Sequence, residues 1–335
     1  MIKFVGNEQV TFCDGFKRRS FLQAGFLGLG GLALPQLLKA RAQAGTRAKK
    51  TSVIYIELTG GPTHFETYDP KPEAPSEYRG PFGVVKSNLP GVYFSELMKE
   101  QAKVADKLAV IRSIHHASSS HDTSSHLTQT GYYKNGRKGG KNSFPAIAAT
   151  TAMLKGANTP GLPPYVSVSR AMRNGRASFL GNAYDPFIAS GDPNKDDFKV
   201  NNLDLLPELE LQRVNDRRGL LDSLDGSLRL LDNTRTAESI GKFNGQAFDL
   251  LTGDRARKAF NIGEENLRTR ERYGRNTTGQ SMLLARRLVE AGVSYVTVTV
   301  GSWDDHSKIA DRMKSKGPAY DQGLAALIAD LHERG

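Results

Sequence analysis

Past residue 44, short apolar runs alternate with stretches whose apolar residues recur at helical spacing. Val53–Leu58 predicts a buried strand, ended by the turn chemistry of Thr59-Gly60-Gly61-Pro62. Leu108–Ile111 predicts a second short strand and Tyr165–Val168 a third. Val293–Val300 predicts a fourth, with Val296, Val298 and Val300 on one face. Helices are predicted over Ser95–Lys107, over Pro145–Leu154 with proline in its first turn, and over Gln280–Ala291. In the last of these Leu284 stands over Leu288 and Ala285 over Val289, and Gly292 stops the helix. A final helix carries the stripe Tyr320, Leu324, Leu327, Ile328 and Leu331 and ends at Gly335. Residues 171–200, rich in Asn, Gly, Asp and Pro, read as loop, and 203–275 as mostly helical and charged.

Strands separated by helices imply an α/β fold, with a mostly parallel sheet covered by helices on both faces. Ligands of such sheets bind at the carboxyl ends of the strands. That directs attention to three loops, 59–69, 112–131 and 301–306.

The first 44 residues form a separate unit. Lys17-Arg18-Arg19-Ser20-Phe21-Leu22 sets two arginines beside a Phe-Leu pair, and a Gly/Leu/Ala-rich apolar run follows to about Leu38. Ala42-Gln43-Ala44 is a small-x-small cleavage signal. Arg18 and Arg19 mark a twin-arginine signal peptide cleaved after Ala44, and the twin-arginine translocase as a partner. An uncleaved anchor is the alternative, but Gln23, the glycines, Pro35 and Gln36 interrupt the roughly 20 apolar residues a stable span needs. The expected product is residues 45–335, periplasmic or extracellular, with no stable transmembrane segment after cleavage.

Composition narrows the chemistry. The chain has 46 basic and 35 acidic residues, a net charge of +11. Residues 1–44 hold six of the basic and two of the acidic residues, so cleavage lowers the excess to +7. That suits an anionic small molecule or a solvated basic surface. No Arg/Lys run interleaved with aromatics points to nucleic acid. The only cysteine, Cys13, precedes the cleavage point, which leaves no disulfide, thiolate nucleophile or Cys metal site in the exported part.

Histidine placement is the main chemical clue. His64 follows the first strand, His115, His116, His121 and His126 fall in the loop after the second, and His306 follows the fourth; only His332 lies elsewhere. In Trp303-Asp304-Asp305-His306 a carboxylate and an imidazole at i and i+2 can reach one metal, of the Zn, Mn or Fe(II) type. The same residues could serve as a helix cap, with Asp304 or Asp305 capping and Trp303 as a packing anchor. His64, Glu66 and Asp69 are further candidate ligands, although Asp69-Pro70 also makes a simple turn. The Ser/His-dense 115–126 segment can hold an oxyanion on backbone N–H groups at a helix start, or be a polar loop that opens a helix. His121 and His126, five apart, would not align on a continuous helix.

Taken together, these motifs resemble the domain of unknown function 1501 family. The resemblance rests on the twin-arginine leader, Leu58–His64, Thr67-Tyr68-Asp69-Pro70-Lys71-Pro72, Arg79-Gly80-Pro81-Phe82, the 115–131 loop and Trp303–His306. It implies an alkaline phosphatase/sulfatase-like fold and a metal-dependent hydrolase of phosphate or sulfate esters. The metal would be divalent (Zn, Mn, Fe or Ca), held by Asp304 and His306 with His64 or Glu66. The attacking group would be Thr123, or a metal-bound water assisted by His121 or His126. Substrates would be anionic small molecules or sulfated or phosphorylated glycans. Two departures stand out: no sulfatase Cys or Ser occupies its usual motif, and Glu66 stands where relatives carry Asp. The resemblance also implies a further strand and an Asp-His pair after Gly335, so the chain reads as C-terminally truncated. A non-catalytic exported binding or assembly protein on the same fold is the alternative.

Overall fold

The computed structural model describes residues 50–134, 142–200 and 253–335, with isolated positions between 216 and 250. Arg18, Arg19 and the cleavage point after Ala44 lie outside the described residues, as does most of the helical stretch expected over 203–275.

Strand β1 (Val53–Leu58) lies where the apolar run predicts it. A small antiparallel hairpin follows, β2 (Val84–Lys86) and β3 (Tyr93–Ser95). The predicted Ser95–Lys107 helix is replaced by the end of β3, a single helical turn α1 (Lys99–Ala102) and a 3-10 turn at Ala105–Lys107. Met98, Ala102 and Ala105 are buried at helical spacing, which is what the sequence pattern registers. A distant carboxylate holds the break: Asp321 accepts the N–H groups of Glu100 (2.8 Å) and Gln101 (2.9 Å).

The predicted strand at Leu108–Ile111 does not form. Leu108 is extended and packs on the core, but Val110 and Ile111 face solvent and no neighbouring strand supplies a ladder among the described residues. Four apolar residues are not a strand without a partner. Helices α2 (His121–Thr130) and α3 (Ile147–Lys155) come next. Strand β4 (Tyr165–Ser169) matches expectation, whereas β5 (Phe187–Ser190) lies inside the stretch expected to be loop.

Helices α4 (Asp254–Phe260) and α5 (Leu267–Tyr273) lead into α6 (Thr277–Ala291). Asn276 caps α6 by accepting the Gly279 N–H at 2.9 Å, and left-handed Gly292 ends it. The α6 start is tight: a Cβ on Gly279 would fall 1.9 Å from the Tyr273 carbonyl oxygen. Strand β6 (Tyr295–Val300) and the long helix α7 (Ile309–Arg334) complete the chain.

The four main strands are parallel, in the order β1-β6-β4-β5. Side-chain alternation divides the sheet into two faces. Ile54, Ile56, Val166, Val168, Val296 and Val298 share one core with Leu283, Leu284 and Leu288 of α6. Burying each such side chain contributes roughly 1.5–3 kcal/mol. Tyr55, Tyr165 and Tyr295 take the other face and pack on Ala148 and Ala152 of α3. Beneath them the hydroxyls of Ser167 and Thr297 meet at 2.7 Å. Residues Ser52–Gly335 form one compact unit. Among the described residues no helix is long and apolar enough to cross a membrane.

Candidate functional site

The carboxyl ends of β1, β4 and β6 open into a cleft of about 500 Å³. The loops after β1 and β6 are laced into one wall. Thr59 N–H donates to the Val300 carbonyl at 3.0 Å, Ser302 N–H to Thr59 Oγ1 at 3.1 Å, and Trp303 N–H to the Thr59 carbonyl at 2.8 Å. Gly60, at φ +99°, lets the wall close, since a Cβ there would lie 2.7 Å from both Cβ and N of Asp304. The close approach that Gly60 permits is thus taken up by the protein's own Asp304.

Trp303 anchors the loop. Its indole is buried and lies edge-on to the Tyr320 ring, 5.6 Å between centroids. The two aspartates that follow diverge. The Asp305 side chain is largely covered, against Lys316 (2.8 Å) and Arg312 (3.1 Å). Burial pushes its carboxyl up, but the two cations outweigh that and hold it below the usual range. Asp304 lines the cleft, with Oδ2 2.9 Å from His121 Nε2 and Oδ1 2.9 Å from His306 Nε2. Neither aspartate caps α7, whose cap position is Lys308.

Helix α2 presents His121, Ser125 and Gln129 to the site at i, i+4 and i+8, one face of the helix. His126 points about 140° round the helix from His121. It is fully buried, with Nδ1 2.7 Å from the Tyr132 carbonyl and Nε2 accepting the Ser143 N–H at 3.1 Å. Those bonds set the proton on Nδ1 and occupy both nitrogens, which gives His126 a structural place.

Other candidates lie outside the cleft lining. His64 is exposed and sits against the Phe65 ring at 4.1 Å. Glu66 is buried, accepts the Thr63 hydroxyl and packs on Gly80. Thr123 is half-buried in the first turn of α2. The structure therefore brings together His121, Asp304 and His306, and leaves His64, Glu66, Thr123 and His126 apart from the cleft.

Four polar cleft residues were not singled out from the sequence: Glu57, Arg170, Arg173 and Thr299. Arg170 and Arg173 follow β4, and the rule that directed attention to other strand ends applies equally there. Ser169, at φ +67°, makes the turn, with Arg170 N–H donating to the Val168 carbonyl at 2.9 Å. Arg170 Nη2 then reaches Thr59 Oγ1 at 3.4 Å. Glu57 is a lone charge in an apolar strand, in register with Thr299. Its Oε1 accepts a long 3.5 Å bond from Gln129, while its Oε2 and Thr299 Oγ1 are buried without a partner among the described residues. Burial raises the Glu57 carboxyl above its ordinary value, and Gln129, Arg173 and Arg170 offset this only in part.

Two imidazole nitrogens and a carboxylate are donor types that suit Zn, Mn or Fe(II), so the residues fit a divalent metal by chemistry. In the present arrangement each Asp304 oxygen faces its own imidazole, and among the described residues no group of three or more His, Cys, Asp or Glu side chains is disposed to hold an ion. No hydroxyl in the cleft is hydrogen-bonded to an imidazole among the described residues. Ser125 Oγ donates instead to the Arg173 carbonyl at 3.2 Å, and Thr59 Oγ1 to that of Val300 at 3.3 Å.

The fold and cleft define an α/β protein with a polar, two-arginine site at the carboxyl edge of a parallel sheet. The family model described as protein of unknown function (DUF1501) matches residues 50–335, so the chain belongs to that family. No curated protein and no solved structure matches it.

Proposed function

We propose that the protein is an exported, metal-dependent hydrolase of phosphate or sulfate esters, built on an alkaline phosphatase-like fold. The observation that carries this is the juxtaposition of the Asp304 carboxylate, bonded to two imidazoles, with the two cleft arginines Arg170 and Arg173. The arginines offer planar donor forks suited to an anionic phosphoryl or sulfuryl group. Asp304 and His306 would hold the metal, which when bound would supply Lewis acidity and a more acidic water. Asp304 orients the His121 ring, and His121 can take the proton of an attacking water. Water is the nucleophile in this reading, because among the described residues the cleft hydroxyls of Ser125 and Thr59 are bonded to backbone carbonyls and not to an imidazole. His126, with both nitrogens committed, takes no part.

The substrate would be an anionic small molecule or a sulfated or phosphorylated glycan met outside the cytoplasm, after passage through the twin-arginine translocase. A second reading, a non-catalytic binding protein on the same fold, draws on that same lack of a prepared hydroxyl nucleophile. Metal analysis of protein purified without chelator, followed by aryl phosphate and aryl sulfate assays, separates the two. The hydrolase reading expects near-stoichiometric metal that is lost in both Asp304→Ala and His306→Ala. Fewer than about one metal per ten chains, with no turnover of either ester, would sink it.

A further inference from the structure

Besides Asp304, the cleft contains a second acid where an oxyanion site should repel one. Glu57 projects from β1 beside the two arginines that follow β4, with one weak bond to Gln129 and unused hydrogen-bonding capacity. The terminal torsion of a glutamate is broad and two-fold, so its two oxygens exchange readily and either can face the cleft. The other groups around it are Thr299 on β6, Tyr55 on β1 and Tyr165 on β4. Among the described residues, Arg170 and Arg173 are the only arginine or lysine side chains in the cleft lining. A bare carboxylate here lowers affinity for any fully ionised anion and leaves the buried Glu57 oxygen without a donor.

One class of anion resolves both problems. A phosphate monoester has a second ionisation near pH 6, so around neutrality it still carries or can regain a proton. A sulfate monoester is fully ionised and has none. We propose that Glu57 makes this cleft select phosphate monoesters over sulfate monoesters, by accepting the proton that a phosphate group can carry and a sulfate group lacks. The proton lies between one phosphate oxygen and one Glu57 oxygen, the arginines hold the remaining oxygens, and no covalent bond changes. This rests on the ester-hydrolase reading and narrows it to one substrate class.

The test reads binding rather than turnover. The full chain, purified without chelator, is titrated with inorganic phosphate and with inorganic sulfate at about pH 7.5, by calorimetry or through the single tryptophan, Trp303. Wild type is expected to favour phosphate by about tenfold or more, the worth of one charge-assisted hydrogen bond. Glu57→Gln should bind sulfate more tightly and bring the ratio close to one. Glu57→Asp, which keeps the acceptor, should still favour phosphate and so separates loss of the carboxylate from general damage. As the pH falls, sulfate binding should strengthen more in wild type than in Glu57→Gln, since His121 and Asp304, which also line the cleft, are common to both. Equal binding of the two ions by wild type, binding of neither, or an unchanged ratio in Glu57→Gln would overturn the proposal. Selective phosphate binding without ester turnover would defeat the hydrolase reading alone, and turnover of both esters without selectivity would defeat this one alone.

Discussion

Along β6, Val296, Val298 and Val300 turn toward one side of the sheet and Tyr295, Thr297 and Thr299 toward the other. β1 and β4 divide in the same way, with Ile54, Ile56, Val166 and Val168 against Tyr55, Glu57, Tyr165 and Ser167. The first face is uniformly apolar and continuous with the α6 core. The second grows more polar toward the carboxyl ends: a tyrosine layer, then the Ser167–Thr297 hydroxyl pair, then Glu57 and Thr299 at the cleft. One face is built to exclude water, while the other delivers hydrogen-bonding groups to the edge where the loops meet. The price is two buried polar atoms, Glu57 Oε2 and Thr299 Oγ1, left without partners among the described residues.

This contrast makes separable predictions. Asp304→Asn acts at the cleft and should lower ester turnover by about 10²–10⁴-fold, as expected when a general base loses its orienting carboxylate. The thermal midpoint should barely move, because Asp304 is half exposed. A large drop in melting temperature would make Asp304 a fold residue and blur the distinction. Leu284→Ala is the converse: it empties a fully buried α6 position against the apolar face and should cost about 2–5 kcal/mol in denaturant unfolding. Activity per folded molecule should persist.

Gly60→Ala sits on the boundary between the two. It places a side chain at φ +99° and forces Asp304 to move, which should cost roughly 1–3 kcal/mol of stability and a disproportionate share of turnover. Equal losses in both measurements would show that the loop is only a structural joint. The smallest effect concerns Glu57. Its carboxyl is raised in the folded protein, so its contribution to stability is full below the unfolded pKa and is lost as the pH rises through the folded one. Glu57→Gln removes that loss, so the variant should melt above wild type near pH 8 and show no gain near pH 4. A gain confined to acid pH would mean that Glu57 is stabilised as its anion.

How much of this was legible varied with the range of the interaction. β1, β4, β6 and α6 could be read because their apolar periodicity, caps and glycine stops are local. The Leu108–Ile111 expectation failed because a strand needs a partner, and residues 187–190 were missed because four residues between turn-formers carry too little pattern. Asp304 and His306 were readable as a close pair with metal-ligand chemistry. His121 was a candidate too, but nothing in the sequence set it against Asp304, 183 positions away.

By itself, the sequence determined which strands could be buried, that the sheet would be largely parallel, and that Asp304 and His306 would stand close together after the last strand, since each depends on residue type and short-range spacing. Only the tertiary structure decided which imidazoles meet Asp304, that His126 is spent on backbone groups, and that Glu57 and two arginines share one cleft. Those outcomes depend on strand order. β6 lies between β1 and β4, and this joins three loops from separate parts of the chain at one edge. No local pattern encodes a neighbour more than a hundred residues away.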